Sequence, residues 1–167
     1  MKYGLSYFGC RYPQHFKKDL DELKKKGFQK VLITYSENDY FFYSKTIKLL
    51  NQIAKENGFE TYLNPWGVLG IFGGEAFSKF LLDNIDIWQK NNLGEIVPHA
   101  CLTNPKTLEL LMKWLNSALE IQSDYIFWDE PHFILKIFKK IQVFGDVVVI
   151  FVNQSLNKYM DIIFQKK

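Results

Sequence analysis

Residues 30–39, KVLITYSEND, contain the pattern that decides the fold, because an apolar run ends there in a group of polar side chains. The run is rich in β-branched and aromatic residues, which favour a strand. A helix-period segment stops at Gly27 before it, and another follows it with Ile47 and Leu50 on one stripe. The order predicts a β/α unit, in which a strand is followed by a helix.

The same unit recurs along the chain, which predicts the α/β class. Helix-period segments separate five strand-like segments: 2–9, 30–36, 60–63, 124–129 and 146–152. Strands alternating with helices predict a parallel sheet with right-handed crossovers. Two architectures fit this order. One is a partial barrel, with parallel β/α units resembling the N-terminal five units of a TIM barrel, and the alternative is a five-stranded doubly wound, flavodoxin-like sheet.

Residues 1–167 are predicted to form a single β/α domain, because 167 residues with 47% hydrophobic content can bury one core. The span 64–104 interrupts the alternation of strands and helices and is interpreted as an elaborated loop insertion. It is rich in tryptophan, phenylalanine and leucine, and residues 76–85 within it predict a helix. Residues 133–141 and 156–165 predict two further helices.

Composition limits the classes of partner. The 21 basic and 18 acidic residues give a net charge of +3 without a long basic run, so nucleic acid is not expected as a partner. No uninterrupted apolar run reaches about 18 residues, and no leader is visible, so no membrane association is expected. The two cysteines are far apart and suggest a reducing compartment. These features predict a soluble cytoplasmic protein.

The ends of the predicted strands are unusual. Polar, aromatic or small residues follow four of them, in the segments YFGCRYP (7–13), TYSEND (34–39), LNPWG (63–67) and FWDEPH (127–132). The turns from helix to strand are short and plain. Both architectures bind ligands at the carboxyl ends of the strands. A carbohydrate or another small polar ligand is therefore expected at this edge.

The segment FWDEPHF (127–133) resembles the Asn-Glu-Pro ending of strand four in the large clan of retaining glycosidases built on eight-stranded barrels. Asp129 stands where that clan usually has asparagine. The set YFGCRYP, SENDYFFY, NPWGVLGIFGGEAFS and WDEPHF is also similar to a family of uncharacterised glycosidase-like barrel proteins, over roughly residues 3–133.

This resemblance implies that Glu130 is the general acid/base of a glycoside hydrolase. Adjacent residues of a strand point to opposite faces, so Asp129 and Glu130 cannot be the two carboxylates, about 5–5.5 Å apart, of a retaining mechanism. Asp129 is expected to bind substrate or to raise the pKa of Glu130 by repulsion. Alternatively, both acids cap a following helix that begins near Pro131.

The chain departs from this family in length. Barrels of this kind have about 250 residues, and the clan's nucleophile is a second glutamate on strand seven, which lies beyond the five strands predicted here. The resemblance therefore implies a truncated relative. A second hypothesis follows, in which a non-catalytic partial barrel self-associates as a homo-oligomer or docks a partner through its open sheet edge.

Further candidate substrate-binding residues surround the strand ends. Several of them also have an ordinary structural interpretation: core packing for the tryptophans, helix capping for the residues near Asp39, an ion pair for the arginine, and the start of a helix for Glu75. The candidates are Arg11, Tyr35, Glu37, Asn38, Trp66, Glu75, His99, Trp128 and His132.

Neither a metal nor a cofactor is predicted. Cys10, His99, Cys101 and His132 are of ligand type, but their spacing matches no closed zinc site. The glycine-rich stretch GVLGIFGG (67–74) lacks the lysine and the spacing of a phosphate-binding loop. A metal-dependent isomerase or hydrolase on a similar barrel is a third hypothesis.

Overall fold

The computed structural model describes residues 3–74, 76–91, 93–129 and 148–151. Strands and helices alternate along most of this chain. The elements follow in the order β1 (Tyr3–Tyr7), α1 (Pro13–Lys25), β2 (Phe28–Thr34), a π-helix (Asp39–Tyr43), α2 (Ser44–Glu56), β3 (Glu60–Asn64), a 3-10 turn (Val68–Gly70), α3 (Lys79–Leu82), a second 3-10 turn (Ile85–Ile87), β4 (Trp88–Lys90), β5 (Ile96–Ala100), α4 (Pro105–Glu120), β6 (Tyr125–Trp128) and β7 (Val148–Phe151).

The main sheet has the strand order β1-β2-β3-β6-β7. Its first four strands pair in parallel and follow one another in chain order. Tyr7 pairs with Ile33, which pairs with Leu63, which pairs with Ile126, so these four side chains lie on the same face. The predicted α/β class and its parallel β/α units are confirmed.

The last strand differs from the prediction. β7 pairs with β6 antiparallel, with Trp128 opposite Val148 and Tyr125 opposite Phe151, so the expectation of five parallel strands is wrong at this position. An apolar run specifies a buried strand, but it contains no signal for direction, which depends on the connection between the strands. The helices predicted at 133–141 and 156–165 lie outside the described residues.

The insertion at 64–104 contains more regular structure than the sequence indicated. β4 and β5 form an antiparallel hairpin, where only irregular chain was expected. β4 has three residues and β5 contains Pro98, so neither shows a strong strand pattern. The helix predicted at 76–85 is reduced to the four residues of α3, whose N-cap Ser78 accepts a hydrogen bond from the Leu81 amide.

The three long helices pack in one layer against one face of the sheet. Tyr7 packs edge to face against Phe16 of α1, and Tyr35, just after β2, packs against Trp114 of α4. Between them, α2 donates a hydrogen bond from Asn51 to the carbonyl that follows α4. Because residues two apart on a strand share a face, all three helices cover the same side.

The opposite face carries a half-buried polar group at the amino ends of the strands. Lys30 forms an ion pair of 3.0 Å with Glu60 and a 3.1 Å hydrogen bond with the Tyr62 hydroxyl. The Tyr62 ring stacks on Tyr125 with 4.7 Å between the ring centroids. Within the described ranges, no helix combines the length and apolar character that crossing a membrane requires.

Candidate functional site

The carboxyl ends of β1, β3 and β6 are joined by a continuous series of contacts. The Phe8 ring meets the Trp66 ring edge to face, with 4.8 Å between centroids. Gly74 lies against the Trp66 ring so closely that a Cβ there would be 2.3 Å from it. The neighbouring Gly73 amide donates a 3.4 Å hydrogen bond to the Asp129 carbonyl. We call Phe8, Trp66, Gly73, Gly74 and Asp129 the strand-end cluster.

The strand-end cluster combines an aromatic surface with a carboxylate. Phe8 is 59% exposed and Trp66 is half-buried, so both rings are accessible to solvent. The Asp129 side chain is half-buried, and a Cβ built on Gly73 would lie 3.2 Å from its Oδ2 atom. Aromatic rings stack on the C–H faces of apolar or amphipathic ligands, and a carboxylate accepts hydrogen bonds from hydroxyl groups.

Three predicted site residues lie outside the described residues: Glu75, Glu130 and His132. The structure brings Asp129, the neighbour of Glu130, to the end of β6 beside the glycines of the insertion. The catalytic role of Glu130 remains a prediction.

Arg11 forms an ion pair within the chain. Its Nε and Nη2 atoms donate to the two carboxylate oxygens of Asp39 at 2.9 and 3.0 Å, and Nη2 also donates to Thr34 Oγ1 at 3.0 Å. Asp39 is buried, whereas the Arg11 side chain keeps a quarter of its surface exposed. The pair joins the loop after β1 to the start of the π-helix, in agreement with the ion-pair alternative for Arg11.

Asp39 also caps the helical turn that follows β2. The Ser36 amide donates to Asp39 Oδ2 at 2.9 Å, and the Asp39 amide donates to Ser36 Oγ at 3.2 Å, which is a reciprocal capping box. The capping interpretation of Asp39 is confirmed. Asn38 lies in the same turn with an exposed side chain.

Glu37 is buried, with 1% of its surface exposed, and its carboxylate holds the insertion in place. Oε1 accepts hydrogen bonds from the Leu69 amide at 2.7 Å and from Ser78 Oγ at 2.6 Å, and Oε2 accepts one from the Phe80 amide at 2.7 Å. Burial raises the pKa of Glu37, although these hydrogen bonds oppose the rise. The expected ligand-facing position is corrected, because the helical turn directs this side chain into the protein.

Tyr35 is buried, and Trp128 is half-buried with its ring packed against other aromatic rings. Tyr35 is fully buried, its hydroxyl is 2.6 Å from Ser117 Oγ, and burial raises its pKa to about 12. The Trp128 ring packs 5.7 Å from the Trp114 ring and 5.0 Å from that of Phe72. Both residues lie on the helix-covered face, so the structure assigns them to packing.

Asn64 is a candidate that the sequence pattern did not indicate. It ends β3, is 2% exposed, and donates from Nδ2 to the Phe127 carbonyl at 3.4 Å. Its Oδ1 atom is buried without a hydrogen-bond partner among the residues that the structure describes. Such atoms are normally satisfied by water or by a bound group. The only signal in the sequence was a polar residue that ends an apolar strand.

His99 lies in the insertion, on β5, rather than at a strand end of the main sheet. Its Nδ1 atom contacts the Gly70 carbonyl. Cys10 and Cys101 are free thiols. Across the described part of the chain, no three residues of histidine, cysteine, aspartate or glutamate are grouped so that they could hold a metal ion.

No family model matches the sequence, and no curated protein is significantly similar to it.

Proposed function

We propose that the protein is a glycosidase-like partial barrel that binds a carbohydrate at the strand-end cluster. The observation that carries this proposal is the contact series from Phe8 through Trp66 and the two glycines to Asp129. This series brings an accessible aromatic surface to β6, which the two adjacent acids, Asp129 and Glu130, follow in the sequence. Sugar rings present both C–H faces and hydroxyl groups, and this cluster offers a partner for each.

The strand order supports a partial barrel over the doubly wound alternative. The parallel strands are adjacent in chain order, β1-β2-β3-β6, and the three long helices lie on one face. In a barrel the helices form one outer layer, whereas a flavodoxin-like sheet has the order 2-1-3-4-5 with helices on both faces. The face that carries Lys30, Tyr62 and Tyr125 would then correspond to the barrel interior.

In the proposed site, Glu130 protonates the oxygen of the leaving group and Asp129 keeps the pKa of Glu130 high by charge repulsion. The ring of Trp66 supports the sugar. The unpartnered Oδ1 atom of Asn64 would accept a hydrogen bond from a hydroxyl group or from a water molecule at the same edge.

The binding step is tested by titrating the protein with a panel of oligosaccharides in a calorimeter. Trp66→Ala removes the stacking surface and should weaken binding about tenfold. The control is Phe42→Ala, because Phe42 is 71% exposed and lies in the π-helix, outside the cluster. Equal affinities of Trp66→Ala and the wild type would contradict the proposed binding surface.

The catalytic step is tested with aryl glycosides that the wild type hydrolyses. Glu130→Gln should reduce turnover roughly 10²–10⁴-fold, the usual contribution of a general acid, while circular dichroism and binding stay unchanged. Glu120→Gln, at the exposed end of α4, is the matched control. Unaltered turnover in Glu130→Gln would remove the catalytic assignment without affecting the binding proposal.

A second candidate function rests on the sheet edge. β1 is the terminal strand of the sheet, and its Tyr3 side chain is 61% exposed. Unpaired backbone groups at such an edge can pair with another chain. The protein would then be a non-catalytic module that self-associates through β1.

A further inference from the structure

The insertion forms a partly open cavity of about 280 Å³ next to the strand-end cluster. Its walls are mainly apolar and come from α3, the β4–β5 hairpin and the glycine-rich loop. They include Phe77, Leu81, Leu82, Trp88, Pro98 and His99. A cavity of about 150 Å³ accommodates benzene in another protein, so this volume admits an aromatic ring with substituents.

The polar side chains in the wall are engaged, with one exception. Ser78 Oγ donates to Glu37 and accepts a hydrogen bond from the Leu81 amide, and Trp88 Nε1 donates to the Leu81 carbonyl. The His99 ring uses Nδ1 for its contact with the Gly70 carbonyl. Among the residues that the structure describes, the other ring nitrogen, Nε2, has no hydrogen-bond partner.

The contact with Gly70 determines the hydrogen-bonding character of the free nitrogen. A carbonyl oxygen only accepts hydrogen bonds, so Nδ1 must carry the proton that it donates. In the neutral ring, Nε2 then has a lone pair and no proton. A ligand can satisfy Nε2 only by donating a hydrogen bond to it.

We propose that this cavity binds a small aromatic alcohol of the phenol class, with its ring among the apolar side chains and its hydroxyl donating to His99 Nε2. The apolar wall and the volume select a ring, and His99 Nε2, the acceptor that the wall side chains offer, selects a hydroxyl donor. The cavity shares one wall residue, Gly74, with the strand-end cluster, but Phe8, Trp66 and Asp129 do not line it.

The experiment is a calorimetric titration of the full chain with p-cresol and, separately, with toluene. The two ligands have similar shape, but only p-cresol donates a hydrogen bond. We expect one p-cresol per chain and an affinity about fivefold higher than that for toluene, which is the net value of one hydrogen bond. Absence of p-cresol binding up to its solubility limit, or equal affinities for both ligands, overturns the proposal.

Two variants locate the bound ligand. Leu82→Trp fills the cavity from a position that is 51% exposed and should abolish binding. The matched control is Leu49→Trp, at a 44% exposed position on α2, which should leave binding unchanged. Binding that survives Leu82→Trp would place p-cresol elsewhere and overturn the proposal.

The role of His99 is tested with His99→Asn. The asparagine amide nitrogen can keep the donation to the Gly70 carbonyl, but it provides no equivalent of Nε2. This variant should bind p-cresol and toluene with equal affinity, and a retained preference for p-cresol would contradict the hydrogen bond to His99. If the variant fails to fold, the comparison of the two ligands on the wild type still decides the proposal.

Discussion

At the scale of single residues, Glu37 illustrates how a polar strand end can serve the fold. Its carboxylate accepts hydrogen bonds from the Leu69 amide, the Ser78 hydroxyl and the Phe80 amide, and thereby holds the insertion against the end of β2. All three partners are donors, and both oxygens of a carboxyl group can accept hydrogen bonds, whereas a glutamine amide has a single accepting atom.

Glu37→Gln tests this arrangement. The amide group of glutamine would face at least one of the three donors, so a buried hydrogen bond is lost. We expect the free energy of unfolding near neutral pH to fall by about 2 kcal/mol, measured by urea denaturation. Glu56→Gln, at an exposed position of α2, is the control and should change stability by less than about 0.5 kcal/mol.

The same residue should also make stability depend on pH. Burial raises the pKa of Glu37 in the folded protein, so the folded state holds this proton more tightly than the unfolded state does. The contribution to stability is then largest below the ordinary glutamate pKa of about 4.3 and is lost as the pH rises through the raised value. As the pH rises from the ordinary glutamate pKa to the raised value, the wild type should therefore lose stability relative to Glu37→Gln. Parallel curves of unfolding free energy against pH for the two proteins would contradict the raised pKa.

At the scale of elements, the insertion depends on a close contact between its glycine loop and the strand end. Gly74 has φ of +122° and lies against the Trp66 ring, whereas at Gly94, with φ of +79°, an added Cβ would have no atom within 4 Å. Both glycines have backbone conformations that disfavour an L side chain, but only at Gly74 would an added side chain also collide with another residue.

Gly74→Ala should therefore move Trp66. We expect a change in tryptophan fluorescence and a loss of stability larger than that of Gly94→Ala, for which backbone strain of about 1 kcal/mol is the main effect. Equal losses in the two variants, with unchanged fluorescence, would show that the contact between Gly74 and Trp66 does not hold the loop.

At the scale of the whole molecule, β1 is the outer strand of the sheet and pairs only with β2 among the residues that the structure describes, which bears on the second candidate function. If β1 mediates self-association, the mass measured by light scattering should rise with protein concentration. Tyr3→Lys places a charge beside the edge and should reduce that rise. Tyr43→Lys, at a 43% exposed position of the π-helix, is the matched control. A monodisperse monomer at all concentrations would exclude this function.

For the molecule as a whole, the sequence predicted some elements of the fold and missed others. The segments at 30–36 and 60–63 became β2 and β3, and Asn104 with Pro105 correctly marked the start of α4, because these signals are local. The β4–β5 hairpin and the direction of β7 were not predicted. Short strands have weak patterns, and strand direction depends on contacts between distant segments.

The sequence also predicted only part of the candidate site. Trp66 and Asp129 were expected at the carboxyl edge, and they lie there. Tyr35 and Glu37 were expected beside them, but they turn inward, because a strand alternates its faces and the helical turn after β2 rotates its first residue toward the core. Asn64 had no distinctive signal, since its importance lies in a buried oxygen without a partner among the described residues.

The sequence by itself determined the alternation of strands and helices and the edge of the sheet at which polar residues collect. Both follow from periodicity and from residue types that act over a few neighbours. Only the tertiary structure decided which of those residues remain accessible, that the insertion forms a partly open cavity, and that the last strand runs antiparallel. Burial, cavities and strand direction arise from contacts between residues far apart in the chain, which no local pattern specifies.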